Sequence, residues 1–310
     1  MTNLLALITP TNLDAEREKF FASSTYNPIF HYIWQDEEQT PKFSIPKKYD
    51  LWHAIKDQNH SAITKIAADF FEVDYTPESL AQAKDIASIK KPSSTGTAIE
   101  YANLLRSGLD YFGLHEVEVV LTDLGGFNAR PEHRDKRILV SRQIHFEYFS
   151  MEGGIHHELV HCLRYYNRKH NQIRRSHRYL PTEEGLASWC QDNTNDDNGF
   201  AQHAMEYVAS HIGIEGSLRD IYDYFREAGM SDKLAWKRAA RHKFGFVDTS
   251  HPGDILKPAM YYANEVKVAK LTTDEKLRLF VGKIALDELA DHPTYTGLWP
   301  AEQLINYFKL

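Results

Sequence analysis

The 310-residue sequence has only two cysteines, Cys162 and Cys190, and no long hydrophobic run. Two thiols cannot build the disulfide framework on which small secreted scaffolds depend, so the composition points to a reducing compartment. The N-terminal stretch MTNLLALITPTNLD holds an apolar run of five residues with no basic flank before it. That is too short for a signal-peptide core or a membrane span, and no later segment is long enough either. A cytoplasmic protein without a membrane partner is the expectation. Internal repeats and low-complexity tracts are also lacking, which sets aside repeat architectures. Net positive charge is absent, the formal balance being −7. With no recognisable nucleic-acid motif either, a DNA or RNA partner is not expected.

What remains is an ordinary globular composition, 42% hydrophobic and 25% charged, long enough for one large or two modest domains. The acidity is uneven. Between Ala129 and Arg178 eleven Lys and Arg face five acids, a local excess of six positive charges. A solvated basic face accounts for this, and so does attraction of an acidic peptide tail.

Most segments have helical spacing. Asp14–Ser23 opens on an acidic turn, Thr76 and Pro77 start a helix, and residues 97–113 carry apolar residues at helical spacing up to Gly113. Ser217, Ser231 and Thr273 are N-cap candidates, the last for one long helix TDEKLRLFVGKIALDELAD, and a final helix begins at Pro300. VEVVLTDL (117–124) and RILVSRQIHF (137–146) read as strands, and the loop holding Gly125 and Gly126 could turn them into a hairpin. Lys90–Gly96 is a natural break and Asn193–Gly199 a polar loop. The expectation is an α+β fold dominated by helix, with an N-terminal helical region over 1–95 and a second region over 96–310.

The chemistry concentrates in GGIHHELVHCLRYYNR (153–168), where HELVH fits H-E-x-x-H. Residues four apart share a helix face, so His157 and His161 can address one ion. Glu158 lies about 100° around the helix, beside the ligands, where it can take a proton from water. GGIHHE supplies glycines before the helix, so backbone could approach closely at that end. His156 is five residues from His161 and would need a π-bulge to bind the same ion, so it reads as a supporting histidine. A catalytic zinc site needs a third protein ligand and an open position. PTEEGLASWCQ (181–191) offers Glu183 and Glu184. On one reading both simply complement the dipole of a helix starting at Pro181 and Thr182. Alternatively one is the third ligand, and Glu184 is favoured because Gly185, Leu186 and Ala187 give the helix a small, close-packing side.

Four stretches together resemble the tyrosine carboxypeptidase family of zinc metallopeptidases, a Q/E-E-G-L-A signature domain whose members include tubulin-detyrosinating enzymes. They are YNPIFHY (26–32), HHELVHCLRYYN (156–167), TEEGLA (182–187) and KFGFVDTSHPGDILKPAMYY (243–262). Many relatives have the longer spacing H-E-x-x-x-H, which leaves His156 and His157 as alternatives for the family ligand, with i,i+4 geometry favouring His157. The late block has Lys257-Pro258 where the family pattern has K-D. The resemblance implies a gluzincin-like fold with a small sheet beside the HExxH helix. It also implies Zn2+ held by His157, His161 and Glu184, with Glu158 as general base. Tyr261 is then the candidate oxyanion donor. The implied reaction is removal of a C-terminal, tyrosine-like residue from a peptide or protein tail. Arg241, Lys243, Arg142 and Arg164 are candidate partners for the substrate carboxylate, since cationic donors recognise carboxylates. An endopeptidase or aminopeptidase on the same site, or a non-catalytic metal-binding regulator, are the competing readings.

Overall fold

The computed structural model describes residues 4–37, 40–88, 96–124, 128–144, 150–193 and 200–310. Helix dominates, with one three-stranded sheet among the described residues, an α+β arrangement. No described helix is long and apolar enough to cross a membrane. Residue contacts divide the chain into two units, Met1–Ser88 with His203–Ala263, and Ile89–Gln202 with Asn264–Leu310. His203–Ala263 thus groups with the N-terminal segment, an association between stretches distant in sequence.

The first unit is helical. Thr76 Oγ1 accepts from the Ser79 amide, with Pro77 opening the helix Pro77–Ala87. Ser217 and Ser231 cap Leu218–Glu227 and Asp232–His242 in the same way. Phe20 is wholly buried, its ring 4.9 Å from those of both Tyr222 and Trp236.

In the second unit the two strand-like runs become β1 (Glu118–Thr122) and β3 (Arg137–Ser141), and β2 (Ala129–Glu132) lies between them in sequence. The sheet order is β1-β3-β2. β1 runs parallel to β3, Glu118 opposite Arg137, while β2 is antiparallel to it, Ala129 opposite Val140. The hairpin therefore joins β2 to β3 through 133–136, where Lys136 adopts φ +49°. It does not join β1 to β3 through Gly125 and Gly126, which lie outside the described residues, as do most of Lys90–Gly96 and Asn193–Gly199. ARPE has no β-branched residue, and its proline fits only an edge strand, which β2 is.

The motif helix spans Met151–His170, capped by Ser150, whose Oγ accepts from the Gly153 amide at 2.9 Å. Leu159, Val160 and Leu163 are fully buried in the core of this unit with Ile138 and Val140 of the central strand. Cys162 and Cys190 are free thiols in the same core. The glycines sit inside the helix, not ahead of it. A Cβ on Gly153 would come within 2.7 Å of the Gln191 carbonyl oxygen, so glycine is what permits this approach to the second helix, Tyr179–Asp192.

The run expected to be a single helix from Thr273 is broken. Thr272 caps Thr273–Arg278, a 3-10 turn follows at Leu279–Val281, and another 3-10 segment covers Leu286–Asp291. The cause lies on the motif helix. Arg164 Nε donates to the carbonyls of Leu279 and Gly282, both at 2.9 Å, and its Nη2 to Ile284 at 2.8 Å. Asn167 and Asn171 donate to Phe280 and Val281, each at 2.8 Å. Carbonyls bound by these side chains do not close a helical ladder, so the segment becomes a strap tied along one helix face.

Candidate functional site

Four-residue spacing does on the motif helix what it should, placing His157 and His161 on one face with ring centres 4.9 Å apart. The second helix brings Glu184 to them. Its Oε2 lies 3.5 Å from His157 Nε2 and 3.6 Å from His161 Nε2. One donor atom from each of the three lies within 4.8 Å of the others, a spacing that one divalent ion can bridge. The second helix begins at Tyr179, two residues earlier than Pro181-Thr182 suggests, so neither glutamate is in its first turn. Service to the helix dipole does not explain them. A Cβ on Gly185 would sit 2.7 Å from the Asn264 carbonyl carbon, so the residue after Glu184 is where another backbone presses against this helix.

Glu158 is buried beside this cluster, and its Oε2 has no hydrogen-bond partner among the described residues. Burial raises its pKa, opposed by His161 and His157 and reinforced by Glu184. A buried carboxylate oxygen left without a donor next to three potential metal ligands suits a group that exchanges a proton with bound water.

Glu183 faces the other side of His161. Its Oε1 accepts from His161 Nδ1 at 2.9 Å and from Lys283 Nζ at 2.5 Å. Its Oε2 lies 3.6 Å from Arg164 Nη1. Burial works against ionising Glu183, yet Lys283, His161 and Arg164 hold its carboxyl well below the usual range. For His161, burial lowers the pKa but Glu184 and Glu183 outweigh it, and the net shift is upward. An ionised carboxylate only accepts, so Nδ1 carries a proton to Glu183, and Nε2 is the ring nitrogen that faces Glu184.

His156 stands apart. Its ring stacks 4.7 Å from that of Tyr307 and meets Phe308 edge-on at 5.2 Å. Burial first pushes its pKa down to about 4, so it packs as a neutral imidazole. No π-bulge directs it to the cluster; Met151–His170 is regular helix.

The basic candidates separate by burial. Arg164 is completely buried, spent on strap carbonyls and beside Glu183, and so does not serve as the carboxylate clamp first expected. Lys243 is excluded for the same reason. It is completely buried in the first unit, where its ammonium donates to the carbonyls of Gly213, Gly216, His251 and Gly253. Arg142 is exposed at the end of β3, 3.6 Å from Asp123, and Arg241 is half-buried near the end of Asp232–His242. Tyr261, in the first unit, stacks against His203 at 5.6 Å. Asn167, Asp248 and Ser250 are structural, Asp248 Oδ1 accepting from both the amide and hydroxyl of Ser250.

Sequence reasoning misses Lys283 and His133. Lys283 lies a hundred residues beyond its partner Glu183. His133, in the β2–β3 turn, stacks on Tyr165 of the motif helix at 4.3 Å. Burial, with Lys283 adding to it, drives its pKa down to about 3. Neither residue belongs to a spacing pattern.

No protein-family model matches the chain. It is similar along most of its length to curated proteins. Microtubule-associated tyrosine carboxypeptidase 1 of Homo sapiens is 27% identical over 307 residues, 93% of this chain and 61% of that protein. The protein of the same name from Mus musculus is 25% identical over 304 residues, with 92% and 61% covered. The chain thus spans about three-fifths of the length of these relatives.

Proposed function

We propose, since the chain belongs to the tyrosine carboxypeptidase family, that it is a zinc-dependent carboxypeptidase removing a C-terminal, tyrosine-like residue from a peptide or protein tail. The observation that carries this reading is the convergence of His157, His161 and Glu184 with Glu158 buried alongside. Two imidazoles and a carboxylate are a donor set that suits zinc, and the orphaned Glu158 oxygen fits a proton acceptor beside it. His157, His161 and Glu184 would hold the ion. Zinc bound there supplies Lewis acidity, which activates water and polarises the scissile carbonyl.

The protein's own groups do the rest. Glu158 takes the proton from the attacking water and passes it to the leaving amine. Burial raises its pKa and favours the neutral acid, which suits uptake of that proton. Glu183 keeps the His161 proton on Nδ1. Tyr261 is the candidate donor to the developing oxyanion. Arg142 and Arg241, neither of them fully buried, remain the basic candidates for the terminal carboxylate. An acidic tail suits the basic stretch, of which Arg134, Lys136, Lys169 and Arg174 are exposed.

The test is mass spectrometry of a C-terminally diverse peptide library after incubation with zinc-loaded or chelated protein. Single-residue losses at the C-terminus, blocked by amidating it, are expected with zinc alone. Glu158→Gln should retain zinc and lower kcat by at least about 100-fold, the scale of general-base catalysis. Glu184→Ala should release the metal. Hydrolysis by Glu158→Gln at the wild-type rate would overturn the mechanism.

A further inference from the structure

Lys283 poses a problem that the proposed reaction does not solve. An ammonium with its side chain only 7% exposed carries a desolvation cost, and a well-packed apolar residue often serves stability as well. Its surroundings specify where it goes. The strap carbonyls from Leu279 to Ile284 are held by Arg164, Asn167 and Asn171, spaced along one face of the motif helix. From the other side, the Leu286 amide donates to Thr182 Oγ1 at 2.8 Å, one residue before Glu183, and the Ser176 amide donates to the Lys283 carbonyl at 3.0 Å. The backbone around Lys283 is thereby tied to both helices that carry the candidate ligands. Its Nζ ends on Glu183 Oε1, the same oxygen that receives the His161 proton. Among the described residues it is the only Lys or Arg hydrogen-bonded to Glu183, since Arg164 Nη1 stays at 3.6 Å.

We propose that Lys283 is a positioning residue for the metal centre: it pins Glu183, whose shared oxygen holds the His161 ring with Nε2 toward Glu184. This rests on the zinc reading above and assigns a role to a residue that touches neither metal nor substrate. Partners that orient a ligating histidine are worth roughly 10- to 100-fold in metal affinity.

The experiment is competition for zinc between the full-length protein and a chromogenic chelator, with thermal melting of the chelated protein measured in parallel. Lys283→Met should bind zinc about ten-fold or more weakly than wild type. Glu183→Gln should weaken it similarly. The double variant should bind no more weakly than Glu183→Gln alone, because Lys283 acts through Glu183. A purely structural lysine would lower the melting temperature of the chelated protein and leave zinc affinity within two-fold, and that result overturns the proposal. Should Lys283→Met fail to fold, Lys283→Gln decides by the same affinity criterion. Glu184→Ala separates the two readings. If wild type binds zinc, Glu184→Ala loses it and Lys283→Met matches wild type, only the role of Lys283 falls. A wild-type protein that binds no zinc sinks both.

Discussion

Adjacent side chains on one helix can have unrelated roles. His156 and His157 are neighbours in sequence, yet one packs against Tyr307 and Phe308 while the other turns to His161 and Glu184. His156→Phe should therefore keep zinc affinity within about three-fold, at most a modest stability loss for a volume change in a packed site. His157→Ala should abolish tight binding; chelator competition on both variants checks this. The same divergence separates Glu183 from Glu184. The clustering of His157, His161 and Glu184 was legible because i,i+4 spacing predicts a shared face and a following glycine predicts close packing. The part played by Glu183 was not, because which of two adjacent carboxylates faces which nitrogen depends on how one helix is rotated against another. The burial of Arg164 and Lys243 was not legible because a cation that donates to backbone carbonyls looks, in sequence, like a surface charge.

Elements fared differently according to whether their determinants are local. Caps at Thr76, Ser217 and Ser231 were legible because a hydroxyl that accepts from an amide three residues on is a local device. β2 and the broken run after Thr273 were not, since one is an edge strand recruited by β3 and the other a strap held by Arg164, Asn167 and Asn171. Helix packing at Gly185 gives a prediction at this scale. A methyl there would meet Asn264 atoms at 2.7–2.8 Å, two of them backbone. Gly185→Ala, despite its better helix propensity, should destabilise by about 1–3 kcal/mol, as overpacking does. Urea unfolding should register this as a lower midpoint, and a higher midpoint would show that the contact yields.

At the scale of the molecule, the first unit keeps a buried charge cluster that sets a pH window. His242 is completely buried, its Nδ1 2.9 Å from Asp254 Oδ2 and its Nε2 2.8 Å from Glu206 Oε2, with Arg238 also bonded to Glu206 and the Lys243 ammonium near Asp254. Burial lowers its pKa, but the two carboxylates raise it further, up to about 9. A folded pKa above the ordinary value means that the native state prefers the imidazolium. That stabilisation is complete below about pH 6.5 and fades as pH rises toward 9, a change on the order of 3 kcal/mol. Glu206 acts in the opposite sense. Burial disfavours its charge, Arg238 and His242 depress its pKa strongly, and its contribution is lost as pH falls below the ordinary carboxylate range. His242→Gln should cost more stability at pH 6 than at pH 9.5 in urea titrations, and equal losses would contradict this assignment. The two buried thiols offer a way to watch the second unit. Cys162 follows His161 directly on the motif helix, so an alkylating reagent reaches it only when that core opens. Its labelling rate would then act as a clock for local opening, slowed by whatever ligand the neighbouring histidines grip.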